Sequence, residues 1–156
     1  MRVSILAVGR LGRDPAAALA RDYIDRATAA GRSLGLGPVE IVEVEGRKPG
    51  KAAEAEALRT ALGADPTYLI ACDERGRAYP SRAFAERIAK LRDGGERRLT
   101  FLIGGADGLD PALVGEARET LAFGAQTWPH ALARAMLAEQ IYRAVTILAG
   151  SPYHRD

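Results

Sequence analysis

The stretch LTFLIGGADGLDP, residues 99–111, decides the fold class of this chain because it contains a complete strand–turn–helix transition. Its first seven residues are the most apolar β-like run of the chain and predict a buried strand over 99–105. Three glycines mark the turn: Gly104, Gly105 and Gly108. Because glycine has no Cβ, the backbone can turn tightly there and approach a ligand closely. Asp110 and Pro111 then predict the start of a short helix.

The same alternation of strands and helices extends in both directions from this stretch. Four further segments predict strands: 2–9, 39–45, 67–73 and 120–124. The remaining segments predict four longer helices: 15–33, 52–63, 82–93 and 129–149. This order is typical of an α/β protein with a mostly parallel sheet and helices on both faces. We expect one domain over residues 1–156, since this length suffices for a single core and no linker interrupts it.

The composition narrows the class of protein. With 47% hydrophobic and 27% charged residues, the chain matches an ordinary soluble domain. No segment approaches the roughly 18 consecutive apolar residues of a membrane span, and the first apolar run is too short for a secretory signal. The single cysteine, Cys72, excludes an internal disulfide and a cysteine-based zinc site. We therefore expect a cytoplasmic protein that uses neither a membrane nor a metal.

The basic residues are almost all arginine, since only three of the 22 are lysine. Arginine suits phosphate recognition because its planar guanidinium donates two parallel hydrogen bonds, but the codon bias of a GC-rich genome explains the same excess. The formal net charge is only +2, which predicts modest attraction to nucleic acid. The candidate phosphate contacts all fall in predicted loops: Arg10, Arg13, Arg47, Lys48, Lys51, Arg75 and Arg77.

Three strand ends are candidates for a binding site, because ligands of open α/β sheets bind outside the carboxyl ends of the strands. The first carries Cys72 and Asp73, and the second is the glycine segment quoted above. The third comprises Gly124, Ala125, Gln126, Thr127, Trp128 and Pro129. Thr127 is a candidate N-cap for the last helix, and Trp128 either stacks on a ligand ring or packs in the core. A tight turn with no ligand is the alternative for the glycines.

The last predicted helix, over 129–149, is apolar around most of its circumference. Such a helix must be buried on more than one side. One side is the sheet, and the other is either a twofold-related partner subunit or the rest of the same chain. His130, at the start of this helix, is expected to cap or pack rather than to catalyse.

The chain ends in GSPYHRD, where Gly150 and Pro152 predict a sharp end to that helix. The last residues thereby leave the helix as an extended tail. It carries three chemically versatile side chains: Tyr153, His154 and Arg155. Taken alone, a terminal histidine is most simply a solvated side chain without a role.

Together these segments resemble the RlmH family of bacterial 23S rRNA pseudouridine N3-methyltransferases. The resemblance rests on LIGGADGL, TWPHALARAMLAEQIYRA and PYHRD, with further likeness in ILAVGRL and GRKPGK, and it covers the whole length. It implies the SPOUT fold with a C-terminal trefoil knot, a homodimer, S-adenosyl-L-methionine as the methyl donor, and 23S rRNA in the assembled ribosome as the substrate.

The resemblance also implies which residues form the site. The cofactor loops fall on Cys72–Asp73, on Gly104 and Gly105, and on Gly124–Pro129. Other family members carry leucine where this chain has Cys72, so a backbone contact is expected there. The substrate side falls on the tail.

Methyl transfer to an imide nitrogen gives the tail residues their expected roles. The proton on that nitrogen must leave before or during attack, so a base or a group that stabilises the anionic ring is needed. We expect His154 to transfer the proton or orient the base, Arg155 to stabilise negative charge, and Tyr153 to stack on the base. Two alternatives are a catalytically inactive ribosome-binding factor of the same fold and a small nucleotide-binding α/β enzyme of another kind.

Overall fold

The computed structural model describes residues 1–155, and within them the chain forms one parallel sheet of five strands in the order β2-β1-β4-β3-β5. The strands are β1 (Arg2–Val8), β2 (Val39–Val44), β3 (Tyr68–Arg77), β4 (Arg98–Ile103) and β5 (Glu119–Leu121). The helices are α1 (Pro15–Gly31), α2 (Lys51–Leu62), α3 (Ser81–Asp93), α4 (Pro111–Glu116) and α5 (His130–Leu148), with a short 3-10 turn at Arg32–Leu34. The predicted α/β class with a parallel sheet is confirmed.

Two helices begin where their local sequence predicts. The Asp14 carboxylate accepts a hydrogen bond from the Ala16 amide at 2.8 Å, and the Asp110 carboxylate accepts one from Ala112 at 2.8 Å. In both cases a proline follows the cap, where its missing N–H costs nothing and its fixed φ favours the helix. Aspartate-proline pairs therefore start α1 and α4.

Helices cover both faces of the sheet, as predicted. On one face, Ile5 and Phe101 pack with residues of α1, α3 and α5 in the larger core cluster. On the other face, Leu6 and Leu102 pack with α2 and α4. Neighbouring residues of β1 thus enter opposite cores, because side chains alternate across a strand. The central strands β1 and β4 are apolar on both sides for this reason.

The strand β3 is longer than predicted, since it continues through Arg77 instead of ending at 73. Its second half bulges, so that Leu121 of β5 pairs with both Cys72 and Arg77. Gly76 makes the bulge possible, because a Cβ at this position would lie 2.7 Å from the backbone of Leu121. Conversely, β5 ends at Leu121 rather than at 124, and the following residues form an irregular loop.

Within residues 1–155, no helix is both long and apolar enough to cross a bilayer. The same residues contain no cluster of three or more histidine, cysteine, aspartate or glutamate side chains placed to hold a metal ion.

Candidate active site

The three predicted strand ends meet at one edge of the sheet and line a common cavity of about 110 Å³. They meet because β4, β3 and β5 are adjacent and parallel, which places their carboxyl ends side by side. Seven of the predicted cofactor residues line this cavity: Cys72, Asp73, Gly104, Gly105, Gln126, Thr127 and Trp128. Gly124 lines a neighbouring groove. Ala125 and Pro129 belong to the same loop but line neither space.

The glycine segment forms a turn that only glycine permits at its first position. A Cβ on Gly104 would lie 2.5 Å from the carbonyl carbon of Gly108 and 2.6 Å from the Leu109 nitrogen. The turn closes through a 3.0 Å hydrogen bond from the Gly108 amide to the Gly105 carbonyl. At Gly105, a Cβ would come within 3.3 Å of the Val8 side chain and 3.2 Å of the Glu54 carboxylate. The backbone therefore forms this wall of the cavity without side chains.

Two carboxylates follow Cys72 at the mouth of the cavity. Asp73 accepts hydrogen bonds from the backbone amide of Arg75 at 2.9 Å and from its Nε at 3.0 Å. These bonds hold the pKa of Asp73 below its usual value. Glu74 instead reaches across the cavity and accepts a hydrogen bond from the Thr127 hydroxyl at 3.1 Å. The first and third strand-end loops are thus linked directly.

The contact with Glu74 overturns the expectation that Thr127 caps α5. The residue in the cap position is Pro129, and no side chain caps the first turn. Trp128 is not a core residue either, since it is 38% exposed. Its indole Nε1 donates a 3.3 Å hydrogen bond to the Phe123 carbonyl, which folds the loop back on itself. An exposed, tethered indole is available for stacking on an aromatic ligand.

Cys72 behaves as a small apolar residue at the base of the cavity. Its side chain packs against the larger core cluster. Burial raises the pKa of the thiol to about 12, so the group stays neutral and unreactive at physiological pH. The backbone contact predicted for Cys72 does not require a reactive thiol.

The tail folds back along the second half of α5. The Tyr153 ring packs on Tyr142 with centroids 4.7 Å apart, and its hydroxyl donates to the Glu139 carboxylate at 3.1 Å. Arg143 lies over the Tyr153 ring at 5.0 Å from the centroid, and its Nη1 lies 3.1 Å from Nδ1 of His154. Burial and the hydrogen bonds to Tyr23 and Glu139 raise the pKa of Tyr153. The tail is therefore ordered by specific contacts rather than loose.

Within one chain, however, the described residues of the tail, 150–155, do not line the cofactor cavity. The cavity touches α5 at Ala133. The Tyr153 hydroxyl meets α5 at Glu139, roughly 9 Å of helix rise further along. The structure thus brings the predicted cofactor residues together and the predicted tail residues together, but it separates the two sets.

A larger apolar groove of about 540 Å³ spans the distance between the two sets. It runs beside α5 from Gly124, in the third strand-end loop, to Glu139, which holds the tail. Two leucines on its walls remain well exposed, Leu19 at 47% and Leu132 at 40%. The chain itself therefore buries one side of α5, where Leu137 is fully covered, and leaves another apolar side open.

Sequence reasoning missed two members of the tail cluster, Glu139 and Arg143. They form an i,i+4 ion pair with a 2.6 Å contact between Arg143 Nη2 and Glu139 Oε1. Their position in the sequence indicates them, because charged residues are rarely buried unless they are paired, and these two lie on an otherwise apolar helix. It also missed the link from Glu74 to Thr127, which depends on the bulge in β3.

Comparisons with known proteins identify relatives along the whole chain. A family model described as "Predicted SPOUT methyltransferase" matches residues 1–154. A protein of Phenylobacterium zucineum named "Ribosomal RNA large subunit methyltransferase H" is 73% identical over 156 residues, which cover all of both chains. A protein of the same name from Caulobacter sp. strain K31 is 70% identical, again over the full length of both. A solved structure from Bordetella pertussis, described as a probable methyltransferase, has the same fold (TM-score 0.54, 19% identity) and covers 92% of this chain and 96% of that one.

Proposed function

This chain belongs to the SPOUT methyltransferase family, and we propose that it transfers a methyl group from S-adenosyl-L-methionine to N3 of a pseudouridine in 23S rRNA. The observation that carries the proposal is the cavity where three strand ends meet around the glycine turn. The chain that forms it matches large-subunit rRNA methyltransferases along its whole length. The proposal includes the C-terminal trefoil knot of the resembled family.

The residues of the cavity fit the methyl donor. Gly104 and Gly105 line the cavity with backbone alone, and Trp128 offers a ring for an adenine to stack on. The carboxylates of Asp73 and Glu74 at the mouth favour a positively charged group. When bound, S-adenosyl-L-methionine supplies an activated methyl group. The protein then has to orient the acceptor and exclude water.

The tail provides the groups for the acceptor base. Arg143 Nη1 lies 3.1 Å from Nδ1 of His154, and because a guanidinium can only donate hydrogen bonds, this contact favours the tautomer that carries its N–H on Nε2. This arrangement favours His154 as a donor to a ring carbonyl of the base, where negative charge develops as the N3 proton passes to solvent water. Of the two expected roles of His154, we therefore propose orientation and stabilisation rather than proton abstraction. Arg155 adds positive charge, and Tyr153 stacks on the base.

We propose further that the active protein is a homodimer in which the tail of one subunit completes the cofactor site of the other. The support is the separation of the two sets of residues within one chain and the open apolar groove between them. Leu19 and Leu132 are large apolar side chains that a second subunit would cover.

The substrate we propose is the assembled ribosome in the cytoplasm. All seven candidate phosphate contacts are exposed: Arg10, Arg13, Arg47, Lys48, Lys51, Arg75 and Arg77. They lie in the segments after β1 and β2 and in the bulged half of β3. A net charge of +2 is modest, so a preformed ribosomal pocket is expected to provide part of the recognition.

The experiment that tests the substrate uses the purified protein, methyl-labelled S-adenosyl-L-methionine and three RNA substrates. These are intact ribosomes, isolated large subunits and naked 23S rRNA from a strain that lacks the protein. We expect label in the 23S rRNA of intact ribosomes and about tenfold less in naked RNA. Equal labelling of naked RNA would contradict the assembled-ribosome substrate.

Calorimetry with S-adenosyl-L-methionine separates this proposal from an inactive ribosome-binding factor. A methyltransferase binds the donor with a measurable heat in the absence of ribosomes. A protein that binds ribosomes but shows no donor binding would be the inactive factor.

A further inference from the structure

Among the described residues, Arg134 has the largest side chain that is completely buried. It neither lines the cofactor cavity nor belongs to the tail. It projects from the first turns of α5, one residue after Ala133, which lines the cofactor cavity. Burial lowers the pKa of its guanidinium, although Glu43 and Asp14 oppose that shift. A buried charge is weak evidence for stability, because desolvation offsets the attraction to its partner. A role in positioning would explain its presence.

The contacts of Arg134 converge on the ends of β1 and β2. Its Nη1 forms an ion pair with the Glu43 carboxylate at 3.1 Å, and its Nη2 donates a hydrogen bond to the Val8 carbonyl. The same Glu43 oxygen accepts a hydrogen bond from the backbone amide of Leu11 at 3.2 Å. The planar fork of arginine can serve both partners at once, whereas a lysine ammonium could not span them in the same way.

These contacts hold the loop between β1 and α1, residues 9–14, along much of its length. Gly9 lies beside Nη2, since a Cβ there would be 3.7 Å from it, and its φ of +89° favours glycine. Leu11 is fixed through Glu43. Asp14, the N-cap of α1, lies within the electrostatic reach of the guanidinium. The loop is thus held by hydrogen bonds at its start and its middle, and the charge of Asp14 at its end is attracted to the guanidinium.

We propose that Arg134, through Glu43, is a positioning residue that fixes the loop 9–14 so that Arg10 and Arg13 meet the phosphates of ribosomal RNA. Both arginines are exposed on this loop. The inference rests on the proposed function, since it assigns these side chains to the rRNA substrate. Because Arg134 belongs to the helix that begins at the cofactor loop, it ties the cofactor side of the molecule to the substrate side. A preset loop avoids the entropy of ordering two long side chains and their backbone upon binding.

The test uses two variants in the full-length protein, Glu43→Gln and Arg134→Lys. Glu43→Gln keeps the size of the side chain and removes its charge at a position that is one-third exposed, so the fold is expected to survive. The matched control is Asp25→Asn, which removes a negative charge from another wall of the cavity that Glu43 and Arg134 share.

Two readouts are needed. We expect hydrogen–deuterium exchange of residues 11–14 to become about tenfold faster in both variants, with the sheet unchanged. We also expect kcat/KM for ribosomes to fall about tenfold, mainly through KM, while the Kd for S-adenosyl-L-methionine changes less than twofold. Arg10→Ala should raise KM in the wild type but have less than half that effect in Arg134→Lys, because coupled residues are not additive.

Unchanged exchange in the loop would overturn the inference, as would faster exchange with an unchanged KM for ribosomes. A parallel loss of donor affinity would also overturn it, because Arg134 would then support the cofactor cavity alone. These failures require a wild-type protein that methylates ribosomes. A wild-type protein that transfers no methyl group contradicts the proposed function instead.

Discussion

At the scale of single residues, the site depends on side chains whose role is set by their surroundings. Cys72 is the clearest case, because a cysteine beside a cofactor cavity suggests chemistry that its environment forbids. Burial raises the pKa of its thiol to about 12, so almost no thiolate exists at neutral pH.

Replacing this thiol should therefore have little effect. We expect Cys72→Ala to change the Kd for S-adenosyl-L-methionine less than threefold and to leave kcat within twofold, as measured by calorimetry and methyl transfer. Alkylation of the native protein at pH 7 should be slow. A tenfold loss of affinity in Cys72→Ala would show that the side chain itself contacts the donor.

Glu119 holds three elements together at the edge of the sheet. Its carboxylate accepts hydrogen bonds from the hydroxyls of Tyr68 at 2.6 Å and Tyr79 at 3.0 Å, and from Nε of Arg87 at 2.7 Å. Although burial opposes ionisation, these donors keep the pKa of Glu119 below its usual value. The folded state therefore binds this proton less tightly than the unfolded state does.

The consequence is a stabilisation that depends on pH. At pH 7 we expect Glu119→Gln to lower the free energy of unfolding by about 1–3 kcal/mol, because buried donors lose a charged acceptor. The extra stability of the wild type over Glu119→Gln is fully present above the pKa of the carboxyl in the unfolded chain, roughly 4.3. It declines as the pH falls through the lower pKa of the same carboxyl in the folded protein. Urea unfolding at pH 7 and pH 3 measures this, with the exposed Glu86→Gln as control. An equal difference at both pH values would contradict the account.

At the scale of elements, the order of strands and helices along the chain was predictable, but the bulge in β3 and the ends of β3 and β5 were not. The continuous apolar run LTFLI places β4 to within two residues of its observed bounds, because burial on both faces leaves a strong signal. The second half of β3 reads as a polar loop, and only the pairing of Leu121 with both Cys72 and Arg77 makes it a strand. From the sequence, Thr127 is a candidate N-cap of α5. In the structure its hydroxyl donates to Glu74 instead, and because Glu74 is far away along the chain, a local sequence pattern cannot predict this contact.

Deleting residues 152–156 should separate the proposed role of the tail from that of the cavity. We expect methylation of ribosomes to be lost while the Kd for the donor changes less than threefold, because the tail contacts α5 away from the cavity. Calorimetry and label transfer measure the two effects. The control Tyr153→Phe removes the hydrogen bonds of the hydroxyl to Glu139 and Tyr23 but keeps the ring, and it should retain partial activity. A collapse of donor affinity on deletion would make the tail structural.

At the scale of the whole molecule, α5 is the element that one chain leaves incompletely covered. Its sequence predicted burial on more than one side, and the structure shows which part remains open: the groove walls at Leu132 and Met136. The apolar periodicity of α5 does not show what covers that part, because the pattern is the same whether the same chain or a second subunit covers it.

A charge in this groove should dissociate the proposed dimer. We expect Leu132→Glu to be monomeric by light scattering at micromolar concentration and to lose methyl transfer at least a hundredfold, while its sheet stays folded by circular dichroism. Leu62→Glu is the matched control, because Leu62 is a partly buried leucine on the opposite face of the sheet. A dimeric and active Leu132→Glu would place the interface elsewhere.

Mixed dimers test whether the site is shared. A subunit lacking residues 152–156 and a subunit with Gly105→Val are each expected to be inactive alone. When they are combined, one of the two sites contains an intact cavity and an intact tail, so up to half of the activity per dimer should return. Verified heterodimers that stay inactive would contradict a composite site.

The most direct test of the central claim is mass spectrometry of 23S rRNA from a strain that lacks this protein. We expect N3-methylpseudouridine to disappear from the large-subunit rRNA, to return with the wild-type chain, and not to return with the chain that ends at residue 151. An unchanged level of the modified base in the deletion strain would contradict that claim.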